Sequence, residues 1–117
     1  MIKKKAFIVG ITGQDGTYMG KFLLDKNYSV IGFTRSLKES NLRNLKTLGI
    51  KNQINLKKYK DNNINIILRN ILRHKPNEIY FFSGQSSVNL SFKHPLETYD
   101  SNISILFEIL ELLRKKK

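Results

Sequence analysis

Short apolar runs alternate with amphipathic stretches along the chain, and that alternation predicts its elements. Ala6-Phe7-Ile8-Val9 is a continuous apolar run that stops at Gly10, the pattern of a strand buried on both faces. From Asp15 the period changes. Tyr18, Met19, Phe22 and Leu23 fall at helical spacing, with the Lys26 stem extending the stripe. Asn27 suits a left-handed helix stop. Tyr28 to Phe33 is β-rich and predicts a second strand, which ends toward Thr34-Arg35-Ser36. Residues 5–34 therefore read strand, glycine turn, helix, strand, which is a βαβ unit.

The pattern continues beyond that unit. Leu37, Leu42, Leu45 and Leu48 predict a helix over 37–48 that Gly49 closes, and Gln53 to Leu56 reads as a third short strand. Asn62-Asn63 suits the cap of a helix over 64–73, with Ile67, Leu68, Ile71 and Leu72 as its apolar face. Pro76 disfavours helical geometry at Lys75 and ends that helix. Glu78 to Phe82 is a fourth strand, and Pro95 to Leu113 predicts a long helix with proline near its first turn. Strands that alternate with helices imply a parallel sheet covered on both sides.

Composition narrows the class. At 117 residues the chain is one modest domain. No apolar run reaches the roughly 18 to 20 residues a bilayer span requires. The N-terminal MIKKKAFIVGITG starts basic, but its short apolar stretch leads into a glycine turn, a poor signal peptide. The chain has no cysteine, which excludes disulfides and thiolate metal sites and fits a reducing cytoplasm. Its 21 Lys+Arg against 9 Asp+Glu give a net charge of +12, a balance that invites a nucleic-acid reading. The basic residues are scattered, however, apart from Lys3 to Lys5, Lys57-Lys58-Lys60 and Lys115 to Lys117, and nucleic acid is not the expected partner.

The sharpest local feature is Gly10-Ile11-Thr12-Gly13-Gln14-Asp15-Gly16, a G-x-x-G-x-x-G spacing directly after the first strand. A dinucleotide pyrophosphate must come close to main-chain N–H groups at a helix N-terminus. Side chains at Gly10 or Gly13 would obstruct the turn or that approach, and Gly16 lets helix and strand pack together. A glycine-rich βα loop without a ligand is the plain alternative. The second strand ends about 20 residues later, where such a domain addresses the adenosine ribose. An acidic residue there favours a free 2′-hydroxyl, whereas this chain offers Arg35 beside Ser36. A guanidinium suits a phosphate dianion, so the expected cofactor is NADP; a solvated loop arginine is the alternative. The fourth strand leads into Ser83-Gly84-Gln85-Ser86, small and polar residues that suit a cofactor passing the carboxyl end of the sheet. A small-residue turn capped by serine is the plain alternative. Together these features predict a Rossmann-type α/β fold with helices on both faces of a parallel sheet of about four strands, the first half of a doubly wound sheet.

The residues also carry a family resemblance. Gly10 to Tyr18, with Gln14-Asp15 between the last two glycines, resembles the G-[IV]-T-G-Q-D-G-[ST]-Y opening of the GDP-mannose 4,6-dehydratases, nucleotide-sugar enzymes of the extended short-chain dehydrogenase/reductase type. Pro76-Asn77-Glu78-Ile79-Tyr80 with Gln85-Ser86, then Ser91-Phe92 and Pro95, resemble later segments of that family. The resemblance covers almost the whole chain and is weakest from about 38 to 63. It implies an NADP-dependent lyase cycle: hydride leaves C4 of the hexose, water is eliminated across C5–C6, and hydride returns to C6. Carried over, Gly10, Ile11, Thr12, Gly13, Gln14, Asp15 and Gly16 would hold the pyrophosphate, and Arg35 the 2′-phosphate. Ser83, Gly84, Gln85 and Ser86 would face the nicotinamide ribose, and Asp61 matches an acidic residue at the adenine amino group. The resemblance also implies GDP-mannose as substrate and a homo-oligomer for the full-length family.

Departures from the family pattern bear on activity. Phe82-Ser83 replaces Leu-Ala, Glu97 stands where many members carry tyrosine, and Ile105 where they carry glycine. The tyrosines are 18, 28, 59, 80 and 99, and none has a lysine four residues later. A tyrosine works as acid/base only when a neighbouring cation lowers its pKa. The expectation is therefore an N-terminal cofactor-binding portion, a single unit over 1–117 without the family's catalytic and sugar-binding parts, and inactive alone. The alternatives are a portion of another NAD(P)-dependent nucleotide-sugar epimerase, dehydratase or reductase, and a non-catalytic nucleotide-binding module.

Overall fold

The computed structural model describes residues 3–60, 63–82, 110–112 and 114–115. The chain divides into two compact units, Met1–Phe82 and Ser83–Lys117. The first holds strands β1 (Lys5–Val9), β2 (Ser29–Thr34), β3 (Asn55–Lys58) and β4 (Glu78–Phe81), with helices α1 (Gln14–Asp25), α2 (Arg43–Thr47) and α3 (Asn65–His74). In the second unit residues 110–112 and 114–115 are helical, and Arg114 pairs with Glu111 at 2.9 Å one turn away. The other residues of the helix expected over 95–113 lie outside the described residues.

All strand pairs are parallel and the order is β3-β2-β1-β4. Strand order reverses between β1 and β4, which makes that crevice the switch point of a Rossmann-type sheet. Alternation along β1 divides the core. Ala6 and Ile8 join Val30, Leu23, Leu42, Leu45, Ile50 and Ile54 on the face that α1 and α2 cover. Phe7 points the other way, packing on Phe33 at 5.3 Å and edge-on to His74 of α3 at 6.3 Å between ring centroids. Helices thus cover both faces, as expected.

Two helix ends follow the chemistry of the sequence. Asn27 takes φ 67, and the N–H groups of Asn27 and Tyr28 return to the carbonyls of Leu24 and Leu23 at 2.9 Å each. Gly49 at φ 70 closes α2 the same way, with Ile50 N–H to Leu45 O at 3.0 Å. Both are Schellman motifs, in which a left-handed residue lets the last carbonyls find donors. Lys75 leaves α3 at φ 50, so Pro76 does end the helix, yet the residue before it turns left-handed instead of extended. The N-cap of α3 is Ile64, with no side-chain cap; Asn63, one residue earlier, accepts from Asn65 N–H at 3.2 Å, and Asn62 lies outside the described residues.

Several expectations need correction. Tyr18 and Phe22 are 57% and 55% exposed, and the buried face of α1 is Gly16, Thr17, Gly20 and Leu23. The reason is close packing: a Cβ on Gly20 would stand 3.0 Å from Ile11 Cδ1 and 3.2 Å from Ile54 Cδ1. Small residues bring the α1 backbone down onto the sheet and turn its aromatics outward, where the Lys26 ammonium lies 5.5 Å above the Phe22 ring. The helix expected over 37–48 is a 3₁₀ turn at Glu39–Leu42 followed by the short α2. The third strand starts two residues late, because Lys51–Gln53 forms a 3₁₀ turn first, and it runs on through Lys57 and Lys58. On α3 the exposed Leu72 gives way to Asn70, whose amide donates to Ile66 O at 2.7 Å inside the packed face.

Candidate functional site

The glycine turn lies where β1 ends. Gly10 has φ 92, a conformation open to glycine and strained for other residues. Its N–H and that of Ile11 donate to Phe33 O, at 2.9 and 3.3 Å, and so fasten the turn to the end of β2. Gly13 N–H closes onto Gly10 O at 3.3 Å. Three amides of the turn are therefore spent on the protein itself. The first turn of α1 differs. Gly13 is its N-cap and carries no side chain to cap it, and a helix has no internal acceptors for the N–H groups of Gln14, Asp15 and Gly16. Asp15, exposed in that turn, adds a favourable charge to the positive end of the helix.

The three glycines have separate reasons. A Cβ on Gly16 would drive into the Gly10 carbonyl and lie 2.9 Å from Ile11 Cα, so close helix–strand contact demands glycine there. A Cβ on Gly13 would meet nothing nearer than Gly10 O at 3.6 Å, an ordinary contact, so no protein atom requires its absence. Ile11 is fully buried and fills the space left by Gly32, whose added Cβ would lie 2.8 Å from it. Ile11 thus shapes the turn from inside, with neither its side chain nor its N–H directed to solvent.

Two contacts that sequence reading missed hold Thr12. Its hydroxyl lies 3.0 Å from Thr34 Oγ1, and its carbonyl accepts from Asn44 Nδ2 of α2 at 3.2 Å. The signal was a threonine ending an otherwise apolar strand, one register step beyond the Val9–Phe33 pair and level with the glycine turn. Thr17 Oγ1 donates to Ile11 O at 2.8 Å from within the core and braces the turn from the helix side. A cleft of about 170 Å³ opens between α1 and α2, lined by Gln14, Thr17, Tyr18, Asn44, Thr47 and Leu48. Arg35 stands exposed just past the end of β2, beside this turn. Asp61, Ser83, Gly84, Gln85 and Ser86 lie outside the described residues. Among the described residues, no three His, Asp or Glu side chains gather to hold a metal ion, and no helix is long and apolar enough to cross a membrane.

At the opposite, amino end of the sheet, Glu78 receives two phenols: Tyr28 Oη at 2.6 Å and Tyr80 Oη at 2.5 Å. Those bonds hold the carboxyl below the usual carboxylate range, the Tyr28 bond contributing most and the Tyr80 bond next. The same bonds raise both phenols, Tyr80 to about 12.

A glycine turn at the switch point of a parallel sheet, running into a helix with an open first turn, defines a Rossmann-type α/β protein. A family profile described as GDP-mannose 4,6 dehydratase matches residues 7–117, and the chain belongs to that family. It is 36% identical over 118 residues to the GDP-mannose 4,6-dehydratase of Vibrio cholerae, covering 97% of this chain and 32% of that protein. It is 34% identical over 118 residues to GDP-mannose 4,6 dehydratase 2 of Arabidopsis thaliana, covering 96% of this chain and 32% of that one. The chain therefore spans about a third of the length of these relatives. Among solved structures, the UDP-Glc/GlcNAc 4-epimerase of Campylobacter jejuni superposes with a TM-score of 0.80 at 17% identity, over 96% of this chain and 34% of that one, a likeness of fold.

Proposed function

We propose that this chain is the cofactor-binding N-terminal portion of a GDP-mannose 4,6-dehydratase and that it binds NADP at the glycine turn. The observation that carries the reading is Gly13. The protein leaves room for a side chain there and has none, at the N-cap of α1. A pyrophosphate is the ligand chemistry such a turn accommodates. The amides of Gln14, Asp15 and Gly16 would take its oxygens, Thr12 would be held in place behind them, and Arg35 would meet a 2′-phosphate. Ser83 to Ser86 would line the nicotinamide ribose and Asp61 the adenine, as the family pattern implies.

A bound nicotinamide supplies a hydride acceptor and donor, which is what an internal redox cycle at C4 and C6 of GDP-mannose requires. The residues of this chain bind and orient that cofactor; removing and returning the sugar proton falls to groups of the complete enzyme. The cysteine-free composition fits a reducing compartment such as the cytoplasm.

Titrating the purified chain with NADPH, NADH and a duplex oligonucleotide tests the reading. NADPH is expected to bind more tightly than NADH. Arg35→Ala should weaken NADPH roughly tenfold or more, the scale of one lost charge-assisted contact, with little effect on NADH. Equal losses for both cofactors would remove the 2′-phosphate role. Salt-sensitive binding of the oligonucleotide alone would overturn the cofactor reading.

A further inference from the structure

We infer that the Thr34 hydroxyl is a positioning group for cofactor choice: it clamps the Arg35 turn onto the glycine turn, so that a 2′-phosphate and a pyrophosphate are met by one rigid unit. The inference rests on the NADP reading of this same site. Thr34 ends β2 and is only 3% exposed. Its Oγ1 lies 3.1 Å from Ser36 O, 3.3 Å from Ser36 N and 3.0 Å from Thr12 Oγ1. A hydroxyl has one proton and two lone pairs. The carbonyl of Ser36 must take the proton, since it has none to give. Ser36 N–H and the Thr12 hydroxyl then donate to the two lone pairs. Every valence of the group is used, and each use ties one piece of the site to another.

Arg35 sits between the two ends of that tie. Both main-chain groups of Ser36 fold back onto the side chain of Thr34, which confines the Arg35 backbone to the apex of a tight turn. The turn is extended by Ser36 Oγ, which accepts from Lys38 N–H at 3.2 Å. On the other side, Thr12 is held a second time through its carbonyl by Asn44. The main-chain bonds of Gly10 and Ile11 to Phe33 already fix the glycine turn to β2 without Thr34. What Thr34 adds is the placement of the residue after the strand. Its loss is therefore expected to fall on the ribose end of the ligand more than on the diphosphate.

Thr34→Val keeps the branched shape and removes the hydroxyl, and Thr34→Ser keeps the hydroxyl and removes the methyl. The measurement is the ratio of NADPH to NADH dissociation constants for the 117-residue chain, alongside its melting temperature. Thr34→Val is expected to weaken NADPH roughly five- to tenfold, the scale of one or two lost hydrogen bonds, with NADH changed less than about twofold. Thr34→Ser is expected to restore the wild-type ratio even where its melting temperature falls. A merely structural hydroxyl would lower the melting temperature and leave the ratio alone. An unchanged ratio in Thr34→Val, or a lost ratio in Thr34→Ser, overturns the inference while the NADP reading stands. If wild type itself shows no preference for NADPH, the NADP reading fails and the inference falls with it. Should Thr34→Val fail to fold, Thr34→Ala removes the same hydroxyl with less bulk, and an unchanged ratio in it overturns the inference in the same way.

Discussion

Gly13 and Gly16 occupy equivalent places in a spacing motif and unlike places in the molecule. A methyl on Gly16 would strike the Gly10 carbonyl, which belongs to the backbone and cannot rotate away. Gly16→Ala is expected to cost ~3 kcal/mol or more, because helix and strand must separate to admit it. A methyl on Gly13 meets only an ordinary contact, and φ −72 with ψ 169 is open to any residue. Gly13→Ala should change stability by less than about 1 kcal/mol, the poorer cap being offset by a stiffer unfolded chain. Its effect should appear in NADPH affinity instead. Urea unfolding and cofactor titration of both variants separate the two roles, and a Gly13→Ala protein that binds NADPH as wild type does would take away the argument for a pyrophosphate at this turn. The spacing of three glycines was legible from the sequence. Their different reasons were not, since these depend on which backbone atom faces each missing Cβ.

Among the elements, β1 lies between β2 and β4, and the Tyr28–Glu78–Tyr80 clasp bridges over its start. Tyr28 comes from the turn between α1 and β2, while Glu78 and Tyr80 belong to β4, which follows α3, so the clasp ties two helix-to-strand connections at the amino end of the sheet. Its pH dependence has a definite sign. Glu78 is held below its ordinary value of 4.5, so its contribution is present above that value and lost as pH falls through the folded-state pKa. Tyr80 is raised from 10.0 to about 12, so its contribution is present below 10.0 and lost as pH rises toward 12. The difference in unfolding free energy between wild type and Tyr80→Phe should be greatest between these limits and shrink at both ends. A difference that stays flat from about pH 3 to about pH 11 would mean the phenol and carboxylate are not coupled in solution. Local chemistry made the left-handed stops at Asn27 and Gly49 readable in advance, because one residue type does that work wherever it stands. Face assignment on α1 was not, since Gly20 and Gly32 let Ile11 sit between helix and sheet, and hydrophobic periodicity carries no record of that approach.

The described residues carry a β3-β2-β1-β4 sheet, which matches the first half of a doubly wound fold and the strand after it, and the chain spans about a third of the length of its bacterial relative. The alternation of strands and helices was enough to anticipate a parallel sheet, because a crossover helix is the economical way to join parallel neighbours. Edge strand β3 was blurred by its lysines, whose charge suits an exposed edge and hides the apolar signal. The remaining question at this scale is whether such a chain does chemistry. Oxidising C4 of a hexose needs a base whose pKa is lowered toward neutrality. Tyr28 and Tyr80 are shifted the opposite way, tied to the Glu78 carboxylate, and no tyrosine of the chain has a lysine one helical turn on. Incubated with GDP-mannose and NADP, the purified 117-residue chain is therefore expected to form no 4-keto sugar and no NADPH, even at concentrations that saturate cofactor binding. The assay is chromatography of the nucleotide sugars together with absorbance of the reduced nicotinamide. Appearance of a 6-deoxy-4-keto product would show that a base other than a lysine-paired tyrosine serves here, and the search for it would begin with the residues that follow β4.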